Sequence, residues 1–213
     1  MHPDWQSQEL IYCEQHSSPE PDALTRLTGF TWRHTINPRQ LSGHLQGRFL
    51  AMLSALIQPE CVLEIGTFTG YSSLCLAEGL SATGTLHTIE ADPENAFKAA
   101  EFLQDSGKSI IQYTGDALQI LPTLSMQADL VFVDAAKRQY TEFLDACLPL
   151  TRPGGLLLFD NTLWSGKVTD ENERIHDTDT RLMHEFNASL ANRKDADVVL
   201  LPLRDGLTMV RKH

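Results

Sequence analysis

Glu64, Glu90, Asp134, Asp160 and Asn161 each stand at the end of a short apolar run. A carboxylate offers two acceptor oxygens, so several such groups along one sheet edge suit a polar small-molecule site. The stretch VLEIGTFTGYSS, residues 62 to 73, adds Gly66 and Gly70 directly after its apolar run. Glycines at that point let a strand turn sharply into a helix, with the backbone close to a ligand or, on the alternative reading, only to a packed neighbour.

Parallel strands must place these residues on one edge, and the chain is patterned for them. PECVLEIG, TLHTIEA (85 to 91), SIIQYT (109 to 114), ADLVFVDA (128 to 135) and GLLLFDN (155 to 161) are short, nearly continuous apolar runs, as strands covered on both faces are. Between them YSSLCLAEGL, PENAFKAAEFLQDSG, DALQILPTL and KRQYTEFLDACLPL read as helices, the second with Pro93 in its first turn and Gly107 as its stop. The alternation predicts an α/β fold, a mostly parallel sheet with helices on both faces. VVLLPLRDGLTMVRK holds two strand-like runs around RDG, a closing hairpin with one strand antiparallel to the rest. Before residue 60, PEPDALTRLTGFTWRH and RQLSGHLQGRFLAMLSALI read as helices that cap the sheet or form a dimer contact.

With 213 residues the expectation is a single domain, 1–213, in which 1–58 form a helical cap and 59–213 the core. A hydrophobic content of 42% and a charged content of 21% are those of a globular protein. No run approaches the length of a membrane span and the start lacks a secretory pattern, so a cytoplasmic location without membrane attachment is expected. Cys13, Cys61, Cys75 and Cys147 stand far apart, without the paired spacing of a zinc or redox motif, and read as small hydrophobes. The net charge of −11 speaks against nucleic acid, whose binding draws on clustered Lys and Arg.

In open parallel sheets, ligands bind beyond the carboxyl ends of the strands. A dinucleotide site would use a glycine turn followed about twenty residues later by an acid on the ribose, which Glu90 matches. The loop Gly66, Thr67, Phe68, Thr69, Gly70 lacks the G-x-G-x-x-G spacing, and no Gly-Lys-Ser or Gly-Lys-Thr follows to make a P-loop. What remains is a ligand with an adenosine-type ribose and no pyrophosphate.

VLEIGTFTGYSS, IEADPENA, GDAL, FVDAAKRQY, DNTLWSGKV and LPLRDGLTMVRK, in this order, resemble the cation-dependent O-methyltransferases related to caffeoyl-CoA and catechol O-methyltransferases. The resemblance runs from about residue 36 to the end. It implies a Rossmann-like seven-stranded fold that binds S-adenosylmethionine, and a homodimer. Carried over by position, it brings the Gly66–Gly70 loop with Thr67, together with Glu64, to the methionine part of the cofactor, Ser72 to its carboxylate and Glu90 to both ribose hydroxyls. Asp116 and Ala117 would lie against the adenine, although Asp116 is equally placed as a helix cap. Asp134, which also borders the cofactor, Asp160 and Asn161 match the metal ligands. All three are oxygen donors, which suits Mg²⁺, Mn²⁺ or Ca²⁺. Alternatively, the Asp-Asn pair makes only a turn.

Lys137 matches the family's general base for the phenol proton, and beside a dication its pKa is expected to fall. Phe68 and Trp164 are candidate aromatic walls; His44 is assigned no role. The chain departs from plant caffeoyl-CoA enzymes, which read Asp-Ala-Asp-Lys where it has Asp134, Ala135, Ala136, Lys137, so any role of their second carboxylate is missing. The stretch 167–181 carries five acids against three bases, a poor surface for a coenzyme-A tail. These features imply methyl transfer to a hydroxyl of a small phenolic vicinal diol. Two alternatives stay open: methylation of hydroxyuridine in tRNA, and a non-catalytic dimeric binding module, for which loss of a metal ligand or of Lys137 would be expected.

Overall fold

The computed structural model describes residues 8–213; residues 1–7 of the expected helical cap lie outside the described residues. The chain runs α1 (Gln8–Gln15), α2 (Asp22–His34), α3 (Gly43–Ile57), β1 (Cys61–Ile65), α4 (Tyr71–Ala77), β2 (Thr85–Glu90), α5 (Pro93–Asp105), β3 (Ile110–Thr114) and α6 (Ala117–Ile120). It continues with β4 (Ala128–Val133), α7 (Tyr140–Leu150), β5 (Thr151–Asp160), α8 (Glu171–His176), α9 (Thr178–Ala191), β6 (Ala196–Leu201) and β7 (Leu207–Lys212). The seven strands form one sheet in the order β3-β2-β1-β4-β5-β7-β6. β2 runs parallel to β1 and to β3, and β4 parallel to β5. β7 is antiparallel to both β5 and β6, the one reversed strand the RDG hairpin predicts. Two compact units divide the chain, one ending at Ala117 and the other beginning at Leu118.

In the first unit, Val62, Leu63 and Ile65 of β1 and Leu86 and Ile89 of β2 are buried with Leu76 of α4 and Leu103 of α5. α5 starts where the sequence places it: Asp92 accepts the Glu94 amide at 2.8 Å and Pro93, without an N–H to leave unpaired, opens the first turn. α3 and α4 approach closely at Gly79. A Cβ there would lie 2.2 Å from both the Ala55 nitrogen and the Ser54 carbonyl carbon, backbone atoms that have no rotamer to give.

In the second unit, Val131, Phe132 and Val133 of β4 and Leu157, Leu158 and Phe159 of β5 form a continuous buried layer. Tyr140, Phe159 and Phe186 meet with ring centroids 5.1 to 5.5 Å apart in tilted and edge-on arrangements, the geometry the ring quadrupole favours. Two features depart from the sequence patterning. β5 begins at Thr151 rather than near Gly155, because Thr151 pairs with Ala128 before the register jumps to Leu130 with Leu156; the extra residues around Pro153 and Gly154 (φ 75°) bulge out. The apolar patterning had not drawn out α9, yet it buries Met183, Phe186 and Leu190 along one stripe behind an Asp177 cap.

The cysteines are free, with Cys75 and Cys147 buried; burial pushes the Cys147 thiol up to about 12, as for an inert hydrophobe. Among the described residues no helix is long and apolar enough to cross a membrane. Replacing Gly79 by Ala forces backbone apart where α3 meets α4. It should lower stability by about 1–3 kcal/mol, the range for overpacking, in urea unfolding followed by circular dichroism.

Candidate functional site

β1 of the first unit ends in a buried anion. Glu64 is fully buried, and its carboxylate accepts hydroxyl protons from Ser72 at 2.5 Å, from Thr88 at 2.6 Å and from Ser73. These donors come from the start of α4 and from β2, so one side chain ties the strand, its neighbour and the following helix together. The turn between strand and helix is held by backbone bonds: Gly66 N donates to Ile89 O at 2.9 Å and Gly70 N to Thr67 O at 2.8 Å. Gly70 has φ 97°, a conformation that a residue with a Cβ rarely adopts. The Thr67 and Thr88 hydroxyls lie 2.5 Å apart, and the buried Thr69 shares a 2.8 Å hydrogen bond with Thr31 of α2. Thus α2, expected to cap the sheet or form a dimer contact, reaches the glycine turn.

Glu90 ends β2. One carboxylate oxygen accepts the Phe68 amide at 2.7 Å and the other the Asp92 amide at 2.9 Å, so the turn and the segment before α5 converge on one side chain. Phe68 itself is left-handed, φ 49°, and is held in that uncommon region by this bond. Burial raises the Glu90 pKa above the ordinary carboxylate value, against the pull of the Asp92 and Phe68 amides. Gly115 N donates to Glu90 O at 2.8 Å, which sets the exposed Asp116 and buried Ala117 just beyond that strand end. His44 bonds the Ser18 carbonyl at 2.7 Å, a local tie.

The second unit gathers the remaining groups at the ends of β4 and β5. Lys137 Nζ donates to Asp134 Oδ1 at 2.5 Å and to the Tyr140 hydroxyl at 2.9 Å. Asp160 is 1% exposed and its Oδ1 accepts the Asn161 amide at 2.8 Å. Asn161 has φ 59°, and its side-chain amide makes no hydrogen bond to the described residues. Two carboxylates and an amide oxygen fit a hard divalent cation by donor chemistry. Among the described residues no group of three or more His, Cys, Asp or Glu gathers.

The expected fall in the Lys137 pKa is not what the protein itself produces. Burial lowers it, but the carboxylates of Asp134 and Asp160 and the Tyr140 oxygen outweigh burial and hold the ammonium form. The expectation had weighed a dication's charge without the two anions that face the amine.

Sequence reasoning missed the residues that hold this region. Leu163 N donates to Asp205 O at 2.8 Å, Thr162 N to Gly206 O at 3.0 Å, and Ser165 N to the Asp205 carboxylate. Asn187 Nδ2 of α9 donates to Thr162 O at 2.7 Å. The loop so gripped contains Trp164 (φ 51°), Ser165 (φ 55°) and Gly166 (φ 77°), a run of left-handed residues that costs free energy and persists only under such restraint. The RDG turn signal was visible, but not that it would face this loop. The acids of 167–181 are also structural: Asp170 caps α8, Asp177 caps α9, and Asp179 pairs with Arg138. That weakens the argument drawn from them against a polyanionic tail.

A sequence model described as O-methyltransferase matches residues 14–213. A catechol O-methyltransferase of Niastella koreensis is 38% identical over 164 residues, 74% of this chain and 73% of that protein. Caffeoyl-CoA O-methyltransferase 2 of Zea mays is 33% identical over 91% of this chain and 77% of its own length. Among solved structures, the O-methyltransferase TomG of Streptomyces achromogenes, involved in tomaymycin synthesis and in complex with SAM, superposes with a TM-score of 0.86 at 33% identity, covering 100% of this chain and 99% of its own.

The raised Glu90 carboxyl sets a pH dependence. The folded protein holds this proton more tightly than the unfolded chain, so its contribution to stability is present below the ordinary carboxylate pKa and is lost as pH rises through the higher folded value. Glu90→Gln should flatten that part of the curve, with the gap between variant and wild type changing in the variant's favour as pH rises from 4, read from urea midpoints across the acid range.

Proposed function

The chain belongs to the O-methyltransferase family and is an S-adenosylmethionine-dependent O-methyltransferase, and on that premise we propose that its acceptor is a hydroxyl of a small catechol-like vicinal diol, methylated with the help of a divalent cation. The observation that carries this reading is the Lys137 amine lying 2.5 Å from Asp134 with Asp160 in its field, beside the all-oxygen set Asp134, Asp160 and Asn161. A relative named for catechol, itself a vicinal diol, supports the acceptor class. The family model spans 14–213, which supports one functional domain.

On this reading Glu90 takes the ribose hydroxyls through the lone pairs that its two amide bonds leave open, and the Gly66–Gly70 turn with Thr67 and Ser72 borders the methionine part. Glu64, enclosed by three hydroxyls, acts by shaping that turn. Asp116 and Ala117 border the adenine, and Asp134 serves both cofactor and cation. Phe68 and Trp164 are aromatic walls. A hard divalent cation, Mg²⁺ or alternatively Mn²⁺ or Ca²⁺, would neutralise the Asp134 and Asp160 carboxylates and, as a Lewis acid, make a coordinated hydroxyl more acidic. Were those carboxylates so compensated, Lys137 would lose much of what holds it protonated, release that proton to solvent and, as the neutral amine, accept the proton of the acceptor hydroxyl. The oxygen then bonds to the methyl carbon as the carbon–sulfur bond breaks, and the sulfonium becomes a thioether. We further propose a cytoplasmic homodimer without membrane attachment. The exposed Met52 and Leu56, one turn apart on α3, support the dimer.

Chelation should abolish methyl transfer while calorimetry still detects S-adenosylmethionine binding; full turnover after rigorous metal removal would end the cation proposal. Glu90→Ala should weaken cofactor binding by about 1.5–3 kcal/mol, the range for a hydrogen bond to a charged group. For the acceptor, catechol, a monophenol and bulk tRNA are compared with labelled cofactor and Mg²⁺ at low salt, where electrostatic RNA binding is strongest. Label is expected in the diol, little in the monophenol and none in RNA. Label in RNA alone would replace this proposal with tRNA methylation.

A further inference from the structure

The Tyr140 hydroxyl is 1% exposed with its residue and sits at the junction of three groups. It lies 2.8 Å from the Asp160 carbonyl oxygen and 3.2 Å from that of Val133, and it meets Lys137 Nζ at 2.9 Å. A phenol has one proton. With that proton on the Asp160 carbonyl, which only accepts, the phenol oxygen can do nothing but accept from Lys137, and the polarity of the pair is forced.

The consequence falls on the lysine. A tetrahedral amine nitrogen has four directions. One is the bond to Cε, and a second carries the N–H to Asp134 Oδ1 at 2.5 Å. In the neutral amine the remaining two hold one N–H and one lone pair, and Asp134 alone leaves their assignment open. Were Tyr140 free to donate, the lone pair would be occupied by the phenol proton and unable to take one from a substrate. We propose that Tyr140 is a positioning residue that draws the second N–H of Lys137 onto itself and so leaves the lone pair in the one direction open to the acceptor hydroxyl. This rests on the reading of Lys137 as the base. The ring of Tyr140 packs on Phe159 and Phe186 independently of its hydroxyl, so Tyr140→Phe removes the directing oxygen and keeps those contacts.

The test is a double-mutant cycle in the full chain, with catechol, labelled S-adenosylmethionine and Mg²⁺, using wild type, Tyr140→Phe, Lys137→Ala and the double variant. Circular dichroism establishes that each is folded at the assay temperature. Lys137→Ala should lower kcat by roughly 10²–10⁴, the loss of a positioned base. Tyr140→Phe should lower kcat about tenfold, within the ~10² that small misplacement of a reacting group can cost, with the KM for catechol and the cofactor Kd unchanged. In the Lys137→Ala background the Tyr140 substitution should have no further effect, because it acts through the amine. A purely structural hydroxyl would slow both backgrounds by the same factor, which would overturn the inference, as would wild-type kcat in Tyr140→Phe beside a slow Lys137→Ala. Wild-type kcat in Lys137→Ala, a variant that retains Tyr140, would instead remove the base assignment and this inference with it.

Discussion

A carboxylate taken wholly out of water must be met by donors, and in the first unit that demand organises everything around the end of β1. Glu64 has no solvent exposure, and hydroxyls of Ser72, Ser73 and Thr88 meet it. An unpaired anion at this depth would cost several kcal/mol. Each hydroxyl therefore comes from an element whose place is set by the need to reach this side chain: two from the first turn of α4 and one from β2. The glycine turn lies between those anchors. Its sharpness follows from how near the helix start must stay to the strand end.

Glu90 repeats the logic one strand over, with a difference that bears on ligand binding. Its donors are two backbone amides, one per oxygen, and it stays 8% exposed. Each oxygen thus retains acceptor capacity toward a ligand hydroxyl, whereas Glu64 is enclosed. The two glutamates at neighbouring strand ends thus differ in the identity of their donors.

The second unit relies on backbone restraint. Asn161 and the run Trp164, Ser165 and Gly166 hold left-handed conformations, and the tip at Asp205 and Gly206, with Asn187 of α9, satisfies the amides and carbonyl that this path would leave unpaired. Tyr140 binds the Asp160 carbonyl from the other side and carries the same chain of bonds to Lys137 and Asp134. The backbone around Asp160 and Asn161 is thereby held by neighbours from α7, from α9 and from the turn before β7.

The local pattern of the sequence already determined the parallel strands, the single reversed strand, the helix start at Pro93, and the strand-end positions of Glu64, Glu90, Asp134, Asp160 and Asn161. Apolar periodicity, turn residues and capping groups act over a few residues and can be read without knowing what lies across the fold. Tertiary structure alone decided that Thr31 would reach Thr69 and that Asp205 and Asn187 would grip the loop after Asp160. It also put two carboxylates beside Lys137, which raise its pKa in the protein alone, and turned the acids at 170, 177 and 179 into caps and an ion pair. Those outcomes depend on which groups share a desolvated space. Electrostatic and hydrogen-bond energies are set by distance and burial, and residues 38 or 40 positions apart carry no local mark of their meeting.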